Sequence, residues 1–157
     1  LHVPWVIAGP GVAAAEVGAP VSVVDLVPTV AGFLGLAPHA AWRGADHSVP
    51  LRAGVAVAPR PVFAQGTNER AWPHVWRSVQ ADGWKLITDA AGERAQLYEV
   101  RTDPQEQNDL AVHEPARVAE LRALLDAWLA GFTPNVGGDA GAANQEMLQT
   151  LESMGYL

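Results

Sequence analysis

The stretch richest in reactive side chains is GTNERAWPHVW, residues 66 to 76, which sets Asn68, Arg70 and His74 among Trp72 and Trp76. A guanidinium offers a planar fork of donors to an oxyanion, and indole rings can flank the group that carries it. Loops on a rigid sheet are where recognition residues gather, so Arg70 and His74 are the candidate substrate-binding residues. The plainer account has both tryptophans packing in the core or at a sheet edge, with Arg70 in solvent. The remaining histidines are His2, His39, His47 and His113, and none stands at ligand spacing from another. Asp46–His47 reads as a solvated loop pair rather than a metal site. Asp25 and Asp103 have helix-cap explanations and Asp82 a turn explanation, and no run resembles a calcium loop.

These side chains need elements to hold them. HVPWVIAGPG reads as a buried strand, Val3 to Ala8, closed by a Gly-Pro-Gly turn. In GAPVSVVDLVPTVAGFLGL, Ser22 with Asp25 three residues on opens a helix, and Pro28 kinks it or starts a second one. Val30, Phe33 and Leu34 have helical spacing, and Gly35 followed by Leu36 fits a left-handed cap. Residues 37 to 59 are rich in Pro, Gly and Ala without periodicity, which predicts mostly loop.

The middle of the chain predicts an antiparallel sheet. Its strands run Pro61 to Gln65, Val75 to Gln80, Trp84 to Thr88 and Ala95 to Val100, with a tight hairpin at Asp82-Gly83 and a turn through Ala91-Gly92. QLYEVRTDPQEQNDLA then predicts a strand entering a capped turn. Asp103 caps it, Pro104 takes its first position, Glu106 reaches back, and Leu110 returns to the core. A helix follows from Pro115 to Ala130, with Val118, Leu121, Leu125 and Trp128 on one face and Gly131 as its stop. TPNVGGDAGAAN is a linker, and Gln145 to Met154 a short last helix.

Composition narrows the function classes. At 49% apolar and 17% charged residues, the 157-residue chain can bury a core. Its ten basic residues are spread out under a net charge of −7, so a nucleic-acid footprint is not expected. Without cysteine there is no disulfide, thiolate ligand or thiol nucleophile, and no compartment is indicated. Glu16, Pro20, Asp25 and Pro28 interrupt the long apolar region from Val12 to Ala37, so it is not a membrane span. No signal peptide is evident at the start. A core strand that begins without lead-in suggests the back end of something larger.

The order VPWVIAGPGV, PVSVVDLVPTVAGFLGL, Gly44 with Ser48 and PLRAG, VQADGWKLI, LYEVRTDPQEQNDLA and LESMGYL resembles the C-terminal portion of a sulfatase, of the alkaline-phosphatase-like superfamily. Asp109 stands where that family usually has Asn. The resemblance implies an α/β fold. Residues 1–58 would be the last strand and helix of the catalytic core. Residues 59–131 would be a C-terminal subdomain, a four-stranded antiparallel sheet with a packed helix, and residues 132–157 a linker and short helix. It implies hydrolysis of sulfate esters of a small molecule or carbohydrate by a formylglycine nucleophile made in a Cys/Ser-x-Pro-x-Arg motif, assisted by calcium. Both would lie upstream, so this chain would bind no calcium and be inactive by itself. Alternatives are a phosphodiesterase or phosphonate monoester hydrolase of the same superfamily, or a non-catalytic binding module.

SVPLR, Ser48 to Arg52, formally satisfies Ser-x-Pro-x-Arg. Leu51 takes the place of the usual small residue, no Gly-Arg pair follows, and the motif comes after the VDLVPT helix. It is better matched to a downstream segment that anchors a loop through apolar contacts.

Overall fold

The computed structural model describes residues 3–68 and 72–132, without the side chains of residues 67, 68 and 72–74. Residues Leu1–Ala127 make one compact unit and Trp128–Leu157 a second. In the second unit, the described part brings the Trp128 and Phe132 rings edge to face at 4.5 Å. The linker and the expected helix from Gln145 to Met154 lie outside the described residues.

The sheet forms because four β-prone runs alternate and each tight link is conformationally suited to a turn. Its strands are β1 (Val62–Asn68), β2 (Trp72–Ala81), β3 (Trp84–Asp89) and β4 (Ala95–Glu99), in that order and all antiparallel. At the hairpin between β2 and β3, Asp82 and Gly83 have φ of 51° and 86°, the pair of positive values that a two-residue turn of this hand requires. Gly83 also lacks a Cβ where the Arg101 side chain lies, since a Cβ there would stand 2.6 Å from Arg101 Nε.

Val79 pairs with Leu86 and Leu86 with Leu97, a row across three strands in which all three side chains are fully buried. Helix α3 (Pro115–Ala130) begins with Pro at its first position, where a missing N–H costs nothing, and buries Leu121 and Leu125 one turn apart. The helix is tied to the sheet at two points. Arg117 lies 5.6 Å from the centre of the Trp84 ring, and Arg122 Nη1 donates to the Gly92 carbonyl at 2.9 Å. Burying four such leucines and a valine supplies roughly 1.5–3 kcal/mol each.

The stretch after β4 departs from the expected helical cap. Residues 103–108 form no helix, and Glu106 adopts φ 57° and pairs with Lys85 instead of reaching back. Asp103 does organise the turn, because its carboxylate accepts the N–H groups of Asn108 and Gln107, which hold it below its ordinary pKa. Asp109 and Leu110 then close the outer edge of β4: Leu97 N–H donates to Asp109 Oδ1 at 3.0 Å and Leu110 N–H to the Leu97 carbonyl at 2.8 Å. An open sheet edge is thereby covered. Burial raises the Tyr98 phenol above its ordinary pKa, with Asp109, Glu106 and Asp103 adding to the shift.

Ahead of the sheet, a 3-10 turn (Val23–Asp25) leads into α1 (Leu26–Phe33). That helix ends in a left-handed Gly35 at φ 68°, with Leu36 N–H bonded back to the Ala31 carbonyl at 2.9 Å. One expectation fails here. Val3 to Ala8 is not a buried strand: Val3 and Val6 are 62% and 85% exposed, and among the described residues no strand pairs with it. Residues 37 to 59 are mostly loop, as expected, with one short helix, α2 (Ser48–Ala53), closed by Gly54 at φ 65°. Six residues were too few for a periodic signal.

Candidate functional site

A buried carboxylate organises residues 22–60. Asp25 is fully buried at the junction of the 3-10 turn and α1, and it accepts four hydrogen bonds. Oδ1 takes Ala45 N–H at 2.7 Å and Arg60 Nη1 at 3.2 Å, while Oδ2 takes Ser22 N–H at 2.9 Å and His47 Nε2 at 3.2 Å. One turn along, the Thr29 hydroxyl donates to the Ala45 carbonyl at 3.3 Å and accepts His47 N–H at 3.1 Å. Burial by itself would raise the Asp25 carboxyl, but the Ala45 and Ser22 N–H groups, the His47 ring and the Arg60 guanidinium outweigh it and hold the group below its ordinary pKa.

The surrounding chain is shaped to let this joint close. The Asp46 carboxylate and the Ser48 hydroxyl occupy the space a Cβ on Gly32 would need, and the Val24 carbonyl fills that of Gly44. Ser48 N–H donates to Asp46 Oδ1 at 2.7 Å. The Trp5 ring stands edge-on to His47 at 6.2 Å, which ties residues 3–8 to the same joint.

The joint is chemically saturated. A carboxylate has about four lone-pair sites, and all of those on Asp25 are used, so none remains for a metal ion or a substrate proton. Among the described residues no three His, Asp or Glu side chains stand together as a metal ion would require. Asp25 and His47 together make a fastening.

The positions singled out in the sequence fare unevenly. Arg70 lies outside the described residues, and His74 falls on β2 with its side chain outside the description. Ser48 and Arg52 share α2, but Arg52 does not brace Ser48. Its guanidinium donates to the Phe33 carbonyl at 2.8 Å and lies 5.0 Å from the Phe33 ring centre, closing the C-terminal end of α1. The segment also carries hydrogen bonds: Ala13 N–H donates to the Leu51 carbonyl at 3.0 Å and Val55 N–H to the Pro50 carbonyl at 3.1 Å. His47, expected in solvent beside Asp46, is 5% exposed and turned inward. The sequence signal for this joint was Asp25 and Thr29 one turn apart in an otherwise apolar helix.

In fold, the chain matches a solved 2-O GAG sulfatase with a TM-score of 0.60 at 27% identity, over 68% of this chain and 24% of that one. In sequence, it is 30% identical over 165 aligned positions to arylsulfatase K of Danio rerio, covering 98% of this chain and 30% of the relative. It is also 30% identical to a choline-sulfatase of Rhizobium meliloti, over 80% of this chain and 25% of that relative. The chain thus spans under a third of these relatives' own lengths. No family model matches the sequence. The likenesses in sequence and fold match the chain to the C-terminal portion of a sulfatase.

Proposed function

We propose that this chain is the C-terminal portion of an enzyme that hydrolyses sulfate esters, with the nucleophile and calcium supplied by the portion of the protein that precedes it. The observation that carries the proposal is the match of nearly the whole chain to arylsulfatase K, at 98% coverage. The names of the relatives favour a sulfated small molecule or a sulfated carbohydrate as substrate. Residues 1–58 finish the catalytic core, 59–131 form the subdomain laid against it, and 132–157 carry the linker and last helix. Arg70, which lies between β1 and β2 in the sequence, and His74, near the start of β2, are proposed to contact the substrate, where a guanidinium would suit a sulfate or its carrier ring. The chain's own work is positional, because its buried carboxylate is saturated and its Ser-x-Pro-x-Arg match lies in α2.

The test compares the whole protein with this chain, each assayed with an aryl sulfate and with an aryl phosphodiester in the presence of calcium. Sulfate-ester turnover by the whole protein and none by the chain is expected. Preference for the phosphodiester would replace the sulfatase proposal with a phosphohydrolase. Turnover by the chain itself would return attention to Ser48 and Arg52.

A further inference from the structure

We infer that a cavity beside the β2–β3 hairpin is a binding site for a small organic anion, a compact apolar body carrying one carboxylate, sulfonate or phosphate group. The cavity has a volume of about 760 Å³. Residues 18–20 and 59–61 line it together with the hairpin, Val100, Arg101 and α3. Its size falls within the roughly 300–1,000 Å³ of small-molecule sites, which are mostly apolar with a few convergent polar groups. All of its lining belongs to this chain, so the inference is independent of the sulfatase reading.

The polar groups that set the ligand's charge are Arg60 and Arg101. The chain has ten basic residues against seventeen acidic ones, yet two arginines line this one cavity. Arg60 is held in place before any ligand arrives. Pro59 and Pro61 restrict the backbone on either side of it, and its Nη1 donates to the buried Asp25 at 3.2 Å. That bond leaves the rest of the guanidinium fork unused. Arg101 lies against Gly83, where a Cβ would stand 2.6 Å from its Nε, and among the described residues it makes no hydrogen bond or ion pair. Two carboxylates also line the cavity, and neither neutralises it. Glu120 Oε2 accepts Arg117 Nη1 at 2.6 Å, and Asp82 stands exposed in the turn. Guanidinium forks in a concave site without a counter-charge suit an oxyanion.

The remaining lining decides between a bare ion and an organic one. Pro20, Pro59, Pro61 and Leu124 offer apolar surface, and the space is many times larger than a sulfate or phosphate ion. An apolar body bearing the anion uses both features, whereas a bare ion uses only the arginines. Such a ligand would bridge the 59–61 link, which Arg60 ties to Asp25, and the hairpin of the sheet. Occupancy should therefore brace residues 18–61 against the sheet and raise stability by mass action.

The test is calorimetric titration of the whole protein with benzoate, benzenesulfonate and phenyl phosphate, and with inorganic sulfate as the bare-ion probe. At least one organic anion should bind with a Kd of about 1 mM or below and raise the melting midpoint. Arg101→Gln should weaken that binding about tenfold or more, while its midpoint without probe stays put because Arg101 has no partner to lose. Arg94→Gln, at an exposed position that does not line the cavity, is the control and should bind as the parent does. No binding of any organic anion would overturn the inference. So would binding that Arg101→Gln leaves intact, which would put the anion elsewhere. Inorganic sulfate binding as tightly as the organic anions would replace the ligand class with a bare ion. Binding by this chain that the whole protein lacks would also overturn it, because the cavity would then be filled by other residues of the protein.

Discussion

Around β2, β3 and β4 the interior is Val79, Leu86 and Leu97, backed by Leu121 and Leu125. Within residues 3–58 it is Asp25, Thr29, His47 and Ser48 together with the smaller apolar Pro28, Ala31 and Val57, while Val3, Val6, Val23, Val27, Val30 and Leu34 stay at the surface. The two regions belong to one compact unit, yet their largest fully buried side chains are aliphatic around the sheet and the polar Asp25 and Thr29 around α1. The sheet and α3 follow the ordinary rule that apolar area removed from water drives folding. Residues 3–58 depend instead on directional links converging on one carboxylate. Such links fix geometry well but add little net stability for each bond, and most of the apolar surface is left for something else to cover.

The comparison breaks most readily at Asp25. Replacing it with Ala strips four donors of their acceptor and leaves Arg60 without its counter-charge, a loss of about 4 kcal/mol for a buried, paired group. In urea titrations followed by limited proteolysis, cleavage should appear first within residues 3–58 while the sheet survives. Simultaneous loss of both regions would mean that they share one cooperative interior, and the contrast would fall.

Leu86→Ala tests the other half. A large-to-small change at a fully buried site should cost about 3 kcal/mol and shift the whole urea transition, since the row from Val79 to Leu97 runs through it. A loss under about 1 kcal/mol would show a looser sheet interior than the burial indicates.

At Asp109 the effect is smaller and separates charge from geometry. Its Oδ1 accepts Leu97 N–H and Ala111 N–H, which an amide oxygen can also do. Asp109→Ala should cost about 1–2 kcal/mol, and Asp109→Asn much less. Equal losses for the two would mean that the negative charge, rather than the acceptor, seals the edge of β4.

The mildest probe is pH. Asp25 has a folded pKa below its ordinary 3.8, so the folded chain binds fewer protons there than the unfolded one. Its stabilising share is whole above that value and disappears as pH falls through the folded value. Denaturation midpoints measured across this acid range should fall less steeply in Asp25→Asn than in the parent chain. Parallel acid limbs would show that the charge on Asp25 contributes nothing.

Sheet and helix were legible because their signals are local. Asp82-Gly83 marks the hairpin, β-prone runs bounded by turn residues mark the strands, and Leu121 with Leu125 marks the face of α3. Asp25 is legible only as the far half of a capping box, and it does reach back to Ser22 N–H. Its partners lie 20 to 35 residues away at Ala45, His47 and Arg60, and no local pattern announces such convergence. His47 was misplaced for the same reason. Glu106 was misjudged because Lys85, distant in sequence, offers it a better partner than its own turn. The run from Val3 to Ala8 has the composition of a core strand, but a strand also requires neighbours, and composition does not supply them.

Residue-resolved hydrogen exchange on this chain and on the whole protein tests the contrast most directly. The account predicts slow exchange for the β2–β4 amides in both and immediate exchange for residues 3–8 in the chain, becoming slow in the whole protein. Slow exchange of residues 3–8 in the chain, or fast exchange in the whole protein, would contradict it.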